Sequence, residues 1–156
     1  MQEFMHNARV WMSNNKLKLN DDKTEAMIVS SQKLSTSIPM PDSLTVGTSN
    51  IMLSQSVITL SVTLDTHLTM KNQVKNLART ANIELRRINS FHHYLSVEAT
   101  LKLVLAFVMS RLDYCNSLLY GCPQYLMNRL QKVQNNVARL LSLIISHHTY
   151  KLSTGF

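Results

Sequence analysis

Apolar residues are spaced differently in the two halves of this chain, and that difference predicts most of its architecture. From residue 69 to residue 145 they recur at alternating three- and four-residue steps, the period of an amphipathic helix. Three helices are expected there. The first, about 69 to 94, carries Met70, Val74, Leu77, Ala81, Leu85 and Ile88 on one face. The second, about 97 to 119, begins after Ser96 as N-cap with Glu98 in its first turn, stacks Val97, Leu101, Val104, Leu105, Val108, Leu112 and Cys115, and is closed by Gly121. Pro123 suits the first position of the third, whose stripe is Leu126, Leu130, Val133, Val137, Leu140, Leu141 and Ile144. Short connections make neighbouring helices antiparallel, so each stripe is buried against the others.

Before residue 69 the pattern is shorter and more mixed. Phe4, Ala8, Trp11 and Met12 predict one helix from Gln2 to about Asn15. Lys16-Leu17-Lys18-Leu19 alternates, Asn20-Asp21-Asp22 reads as a turn, and Thr24 to Ser31 as a strand. Residues 32 to 43, with Pro39 and Pro41, are expected to form a loop. A hairpin of Leu44-Thr45-Val46 and Ile51-Met52-Leu53 should turn at Gly47, and Val57 to Leu64 should form a further strand ending at Asp65. The fold class is therefore α+β and mainly helical: an N-terminal helix and small antiparallel sheet over 1–68, an antiparallel three-helix bundle over 69–146, and a disordered tail over 147–156.

Charge sharpens this division. Residues 1–68 hold five Lys/Arg against six Asp/Glu, a net −1, whereas residues 69–156 hold eleven against three, a net +8. A basic half of this kind is the footprint of a surface that meets a polyanion. At about 100° per residue, Lys71, Lys75, Arg79 and Arg86 fall within an arc of about 80°, centred about 130° from the apolar face of their helix. Such a row can track phosphates while its opposite face stays in the core, binding without regard to sequence and with strong salt dependence. Lys132 and Arg139 form a smaller patch on the third helix. Trp11, Tyr94, Tyr114 and Tyr120 have faces on which bases can stack, but their positions predict packing instead.

Other chemistries have little support. The longest apolar run, Leu103 to Met109, is far short of the roughly 20 residues that cross a bilayer. The first residues resemble neither a secretory leader nor a transit peptide, so an intracellular protein, nuclear or cytoplasmic, is expected. Cys115 and Cys122 read as reduced, partly buried thiols. Neither their spacing nor the His92-His93 and His147-His148 pairs make a zinc set, and no metal site is expected.

Four stretches, in this order, resemble the C-terminal part of the reverse transcriptases of animal non-LTR (LINE-like) retrotransposons, over roughly residues 8 to 142. Trp11-Met12-Ser13-Asn14-Asn15-Lys16-Leu17-Lys18-Leu19-Asn20 running into Lys23-Thr24-Glu25 resembles the palm motif after the catalytic Asp-Asp hairpin. Leu60-Ser61-Val62-Thr63-Leu64-Asp65 is similar to the family's Leu-Gly-Val-Thr-Leu-Asp at the primer-grip strand, with Ser61 in place of glycine. Leu85-Arg86-Arg87-Ile88 with Tyr94-Leu95-Ser96-Val97-Glu98-Ala99-Thr100 resembles the thumb. With it, Ser110-Arg111-Leu112-Asp113-Tyr114-Cys115-Asn116-Ser117-Leu118-Leu119 followed by Leu130-Gln131-Lys132-Val133-Gln134-Asn135-Asn136-Val137-Ala138-Arg139-Leu140 resembles the thumb and post-thumb helices of the same enzymes.

The resemblance implies a distal palm with a primer-grip-like strand at Leu60, Ser61 and Val62, and a thumb that holds an RNA/DNA duplex. Lys23 would lie near the incoming nucleotide and act on the pyrophosphate. The two magnesium ions of the parent enzyme sit on aspartates of earlier palm motifs, which Asp21 and Asp22 do not reproduce, so no cofactor and no independent polymerisation are expected of this chain. A palm surface otherwise covered by neighbouring strands would favour association. A basic helical module unrelated to polymerases is the alternative reading, and attachment to an anionic membrane a weaker one.

Overall fold

A computed structural model describes residues 2–18, 20, 23–37, 41–46, 49–114 and 116–154. The chain is mainly helical with two small antiparallel sheets, an α+β fold. It divides into two compact units, Met1–Thr69 and Met70–Phe156.

In the first unit, α1 (Gln2–Asn14) ends where the paired asparagines predict. The Leu17 amide bonds the Met12 carbonyl at 2.8 Å and the Lys16 amide bonds Ser13 at 3.0 Å, with Lys16 at φ 57. This is a Schellman ending with lysine where glycine is preferred. Asp21 and Asp22, expected in a turn, lie outside the described residues, as does Gly47. Thr24 to Ser31 is not a strand: it makes one parallel bridge, Ala26 to Leu53. Within the expected loop, α2 (Gln32–Ser37) forms, its start bonded to Ser31.

The hairpin expected around residues 44–53 is present as β1 (Ser43–Val46) and β2 (Ser49–Met52), with Leu44 opposite Ile51. The single strand expected from Val57 to Leu64 is instead a second hairpin, β3 (Ser56–Thr59) against β4 (Val62–Asp65). Leu60 and Ser61 make its two-residue turn at φ 48 and φ 64. Positive φ at both central residues is the signature of a type I′ turn, whose twist matches that of the flanking strands. The sequence hides this turn because neither residue is Gly, Asn or Asp. Asp65 then fixes the exit of β4: its Oδ1 accepts from the His67 and Thr69 amides at 3.1 and 2.9 Å, and its Oδ2 from the Thr69 hydroxyl at 2.9 Å.

In the second unit, α3 (Lys71–Phe91) buries Val74, Ala81, Leu85 and Ile88 as the spacing predicts. Ser96 caps the next helix, its hydroxyl accepting from the Ala99 amide at 3.1 Å. That helix is not continuous to residue 119. It runs as α4 (Val97–Val104), a π-helical turn (Leu105–Met109) and α5 (Ser110–Asp113); Tyr114 is extended, and a 3-10 turn covers Asn116–Leu119. The buried set is accordingly Thr100, Val104, Val108 and Leu112, while Leu105 turns outward at 55% exposure. Four α-helical steps advance about 400°, so a strict four-residue repeat drifts by about 40° each time. The wider π turn absorbs a residue and brings Val108 and Leu112 back onto the core side.

The last helix, α6 (Gln124–Thr154), starts one residue after Pro123, whose carbonyl accepts from the Leu126 amide at 2.9 Å. Leu126, Leu130, Val133, Val137, Leu140 and Ile144 are buried. It continues through residues 147–154, where a disordered tail was expected, because no proline or glycine interrupts that polar stretch before Gly155. The core of the unit is the meeting of α3, α6 and the broken middle leg.

Candidate nucleic-acid interface

Burying the apolar stripe of α3 forces its polar residues outward, and Lys71, Lys75, Arg79 and Arg86 are all exposed. Arg87 lies off this row and pairs with Glu84 at 3.2 Å. On α6, Arg129, Lys132 and Arg139 are exposed as well. What the separate helical patterns do not reveal is how these two sets are disposed, and one hydrogen bond supplies that. Asn136 Nδ2 of α6 donates to Asn82 Oδ1 of α3 at 3.4 Å, across 54 residues of sequence.

This bond marks the flank on which the helices meet. Asn82 stands about 95° to one side of the centre of the α3 buried stripe, and Asn136 about 80° to the opposite side of the α6 stripe. Mirror-image offsets can share a flank when the two helices run in the same sense, as the first and third legs of an up-down-up bundle do. Lys75, Arg86 and Arg79 lie further out than Asn82 in the same direction, at about 115–155°, and Lys132 and Arg139 lie further out than Asn136, at about 120–140°. The cations therefore line both shoulders of one seam whose floor is the asparagine pair.

The spacing along the seam also matches. Arg79 and Arg86 are seven residues apart, as are Lys132 and Arg139, which at 1.5 Å rise is about 10.5 Å on each helix. Arg79 precedes Asn82 by three residues and Lys132 precedes Asn136 by four; Arg86 and Arg139 follow by four and three. Each helix thus carries two cations whose spacing along it is close to the about 10 Å that three 3.4 Å steps occupy along a duplex axis. Glu84 is half-buried and held by Arg87, so the acid nearest this face in sequence is already neutralised.

The remaining expected site residues belong to the other unit. Lys23 is exposed in a turn closed by its amide to the Asn20 carbonyl at 3.2 Å. Of the primer-grip-like residues, Leu60 and Ser61 are the exposed hairpin tip, while Val62 is buried. The aromatic residues correct the packing expectation: Trp11 and Tyr114 are exposed, and Tyr94 and Tyr120 are almost fully so, at 88% and 96%. Cys122 is a half-buried free thiol, and Cys115 lies outside the described residues. Among the described residues no three His, Cys, Asp or Glu side chains gather as a metal site, and no helix is long and apolar enough to cross a membrane.

Cavities accompany these surfaces. One, of about 650 Å³, lies in the first unit beside His67, whose Nδ1 is 2.9 Å from the Ser30 carbonyl. Another, of about 410 Å³, lies between α5, the following 3-10 turn and α6. Carboxamides line it, and their signal in the sequence is Gln124, Asn128, Gln131 and Gln134 recurring at three- and four-residue steps.

The sequence matches no protein-family model, and no curated protein or solved structure shows significant similarity to it.

Proposed function

We propose that this chain is the distal palm and thumb of an RNA-directed DNA polymerase of the non-LTR retrotransposon type, and that its thumb grips the RNA template/DNA primer duplex by its phosphates. The observation that carries the reading is the pair of cationic shoulders on either side of the Asn82–Asn136 seam. A helix surface evolved only for solubility mixes both signs of charge; this one presents Lys71, Lys75, Arg79, Arg86, Lys132 and Arg139 with no acid among them. The I′ turn adds independent support. The glycine that the resemblance puts at position 61 would fall at φ 64, a conformation that favours glycine whether or not a primer approaches.

On this reading the chemistry of bond formation, with its two magnesium ions, belongs to other parts of the parent polymerase. This chain positions the duplex in a nuclear or cytoplasmic setting. Lys23, exposed on its turn, would face the nucleotide only in that larger assembly. The apolar face of α1, with Phe4 and Trp11 exposed, supplies surface for association there.

The test is a salt titration of binding to a fully paired RNA/DNA duplex. Four neutralised phosphates give a slope of log affinity against log salt of about −3.6, a loss of about 150-fold between 50 and 200 mM. Lys71→Glu with Lys75→Glu should flatten the slope and abolish most binding. Unchanged affinity in that variant removes the α3 row from the account. Equal binding of acidic peptides and duplex would favour a general basic interaction module instead.

A further inference from the structure

We infer that the cavity between α5 and α6 is a binding site for one unpaired nucleobase that carries an exocyclic amine. It goes beyond the duplex grip, and rests on that reading only for the strand as the source of the base.

The α6 helix has three faces. Its apolar stripe enters the core and Lys132 and Arg139 lie on one flank; Gln124, Asn128, Gln131 and Gln134 occupy the other, about 80° to 200° round from the stripe. Together with Asn116 and Asp113 they surround a floor of Leu112, Met127 and Leu130. At about 410 Å³ the space falls within the range of small-ligand sites. Apolar contact below and hydrogen-bonding groups at the sides match the two surfaces of a planar heterocycle.

The chemistry at the rim narrows the ligand. Gln124 Nε2 donates to Asn128 Oδ1 at 3.0 Å, and Gln131 Nε2 to Asn135 Oδ1 at 3.1 Å. Each bond fixes a side chain while leaving the glutamine oxygen as acceptor and the asparagine amide as donor. Carboxamides of this kind offer the donor and acceptor fork that pairs with a base edge. Asp113 is the sole charged residue of the lining, and its carboxylate has no hydrogen bond or ion pair among the described residues. It accepts from an amine such as cytosine N4 or adenine N6 and repels phosphate, so the base enters and the backbone stays outside. Uracil and thymine, with carbonyls where those amines stand, are disfavoured. Bases inside a duplex are committed to their partners, so an extruded or single-stranded base is the one that fits.

The experiment compares duplexes that differ by one bulged nucleotide, using the whole chain. A bulged cytidine should raise affinity about tenfold over the fully paired duplex, the scale of one bidentate base contact, and a bulged uridine should not. Asp113→Leu and Gln134→Leu, both at exposed positions, should each erase the cytidine advantage while leaving paired-duplex binding intact; Lys71→Glu with Lys75→Glu should do the reverse. Millimolar cytidine nucleoside, followed by the side-chain amide resonances of Gln131 and Asn128, separates the sources. Shifts with nucleoside alone mean a free base suffices, and shifts only with the bulged strand mean the strand must deliver it. Absence of shifts with both probes, or equal affinity for bulged and paired duplexes, overturns the proposal. Loss of duplex binding with retained nucleoside shifts would instead overturn the duplex-gripping function and leave the pocket standing.

Discussion

Substituting glycine for Ser61 should strengthen the β3–β4 hairpin, against the ordinary rule that glycine weakens a strand. Ser61 is held at φ 64 directly after Leu60 at φ 48, both in the left-handed region. An L residue there costs about 1–2 kcal/mol relative to its right-handed conformation, and glycine escapes that cost. The greater freedom of glycine in the unfolded chain returns about 0.5–1 kcal/mol of it. The net gain for Ser61→Gly is about 0.5–1 kcal/mol. Hydrogen exchange of the Thr59 and Val62 amides, the pair that flanks the turn, reads it locally: exchange should slow by about two- to fivefold. Ser61→Ala is the control, because it keeps the conformational cost and removes only the hydroxyl. Equal protection in the alanine and glycine variants, or faster exchange in the glycine one, would refute the turn assignment.

Lys16 poses the same problem at the end of α1, at φ 57, so Lys16→Gly should raise the urea midpoint of the first unit by an amount equivalent to about 1 kcal/mol, without change in slope. Asp65→Ala removes the acceptor of three hydrogen bonds at the end of β4 and should cost about 2 kcal/mol, whereas Asp65→Asn, which can still accept both amides, should cost less than half of that by the same denaturation. Leu126, only 1% exposed, anchors α6 in the core of the second unit; Leu126→Ala should cost about 2–5 kcal/mol and lower the midpoint of thermal unfolding measured by circular dichroism.

Amphipathic period by itself determined the three-legged second unit, because an apolar stripe has one stable place to go and the stripes of α3 and α6 are long enough to be unambiguous. Val74, Ala81, Leu85 and Ile88, and Leu126, Leu130, Val133, Val137, Leu140 and Ile144, are buried where their spacing puts them, while Leu141 of the expected stripe is half-buried. Local side-chain chemistry was equally legible at Ser96, whose hydroxyl caps a helix without help from the rest of the fold. Tertiary structure decided what depends on partners distant in sequence. Val57 to Leu64 folds back on itself because pairing β3 with β4 outweighs the unfavourable backbone at Leu60 and Ser61, an outcome that no turn residue announces. The middle leg widens into a π turn because Val108 and Leu112 must meet α3 and α6 at the same time as Thr100 and Val104 do. The cations were visible as two stripes on two helices. That they flank one seam follows from a single hydrogen bond between Asn82 and Asn136, because helical period fixes directions around each axis but not the rotation of one helix against another.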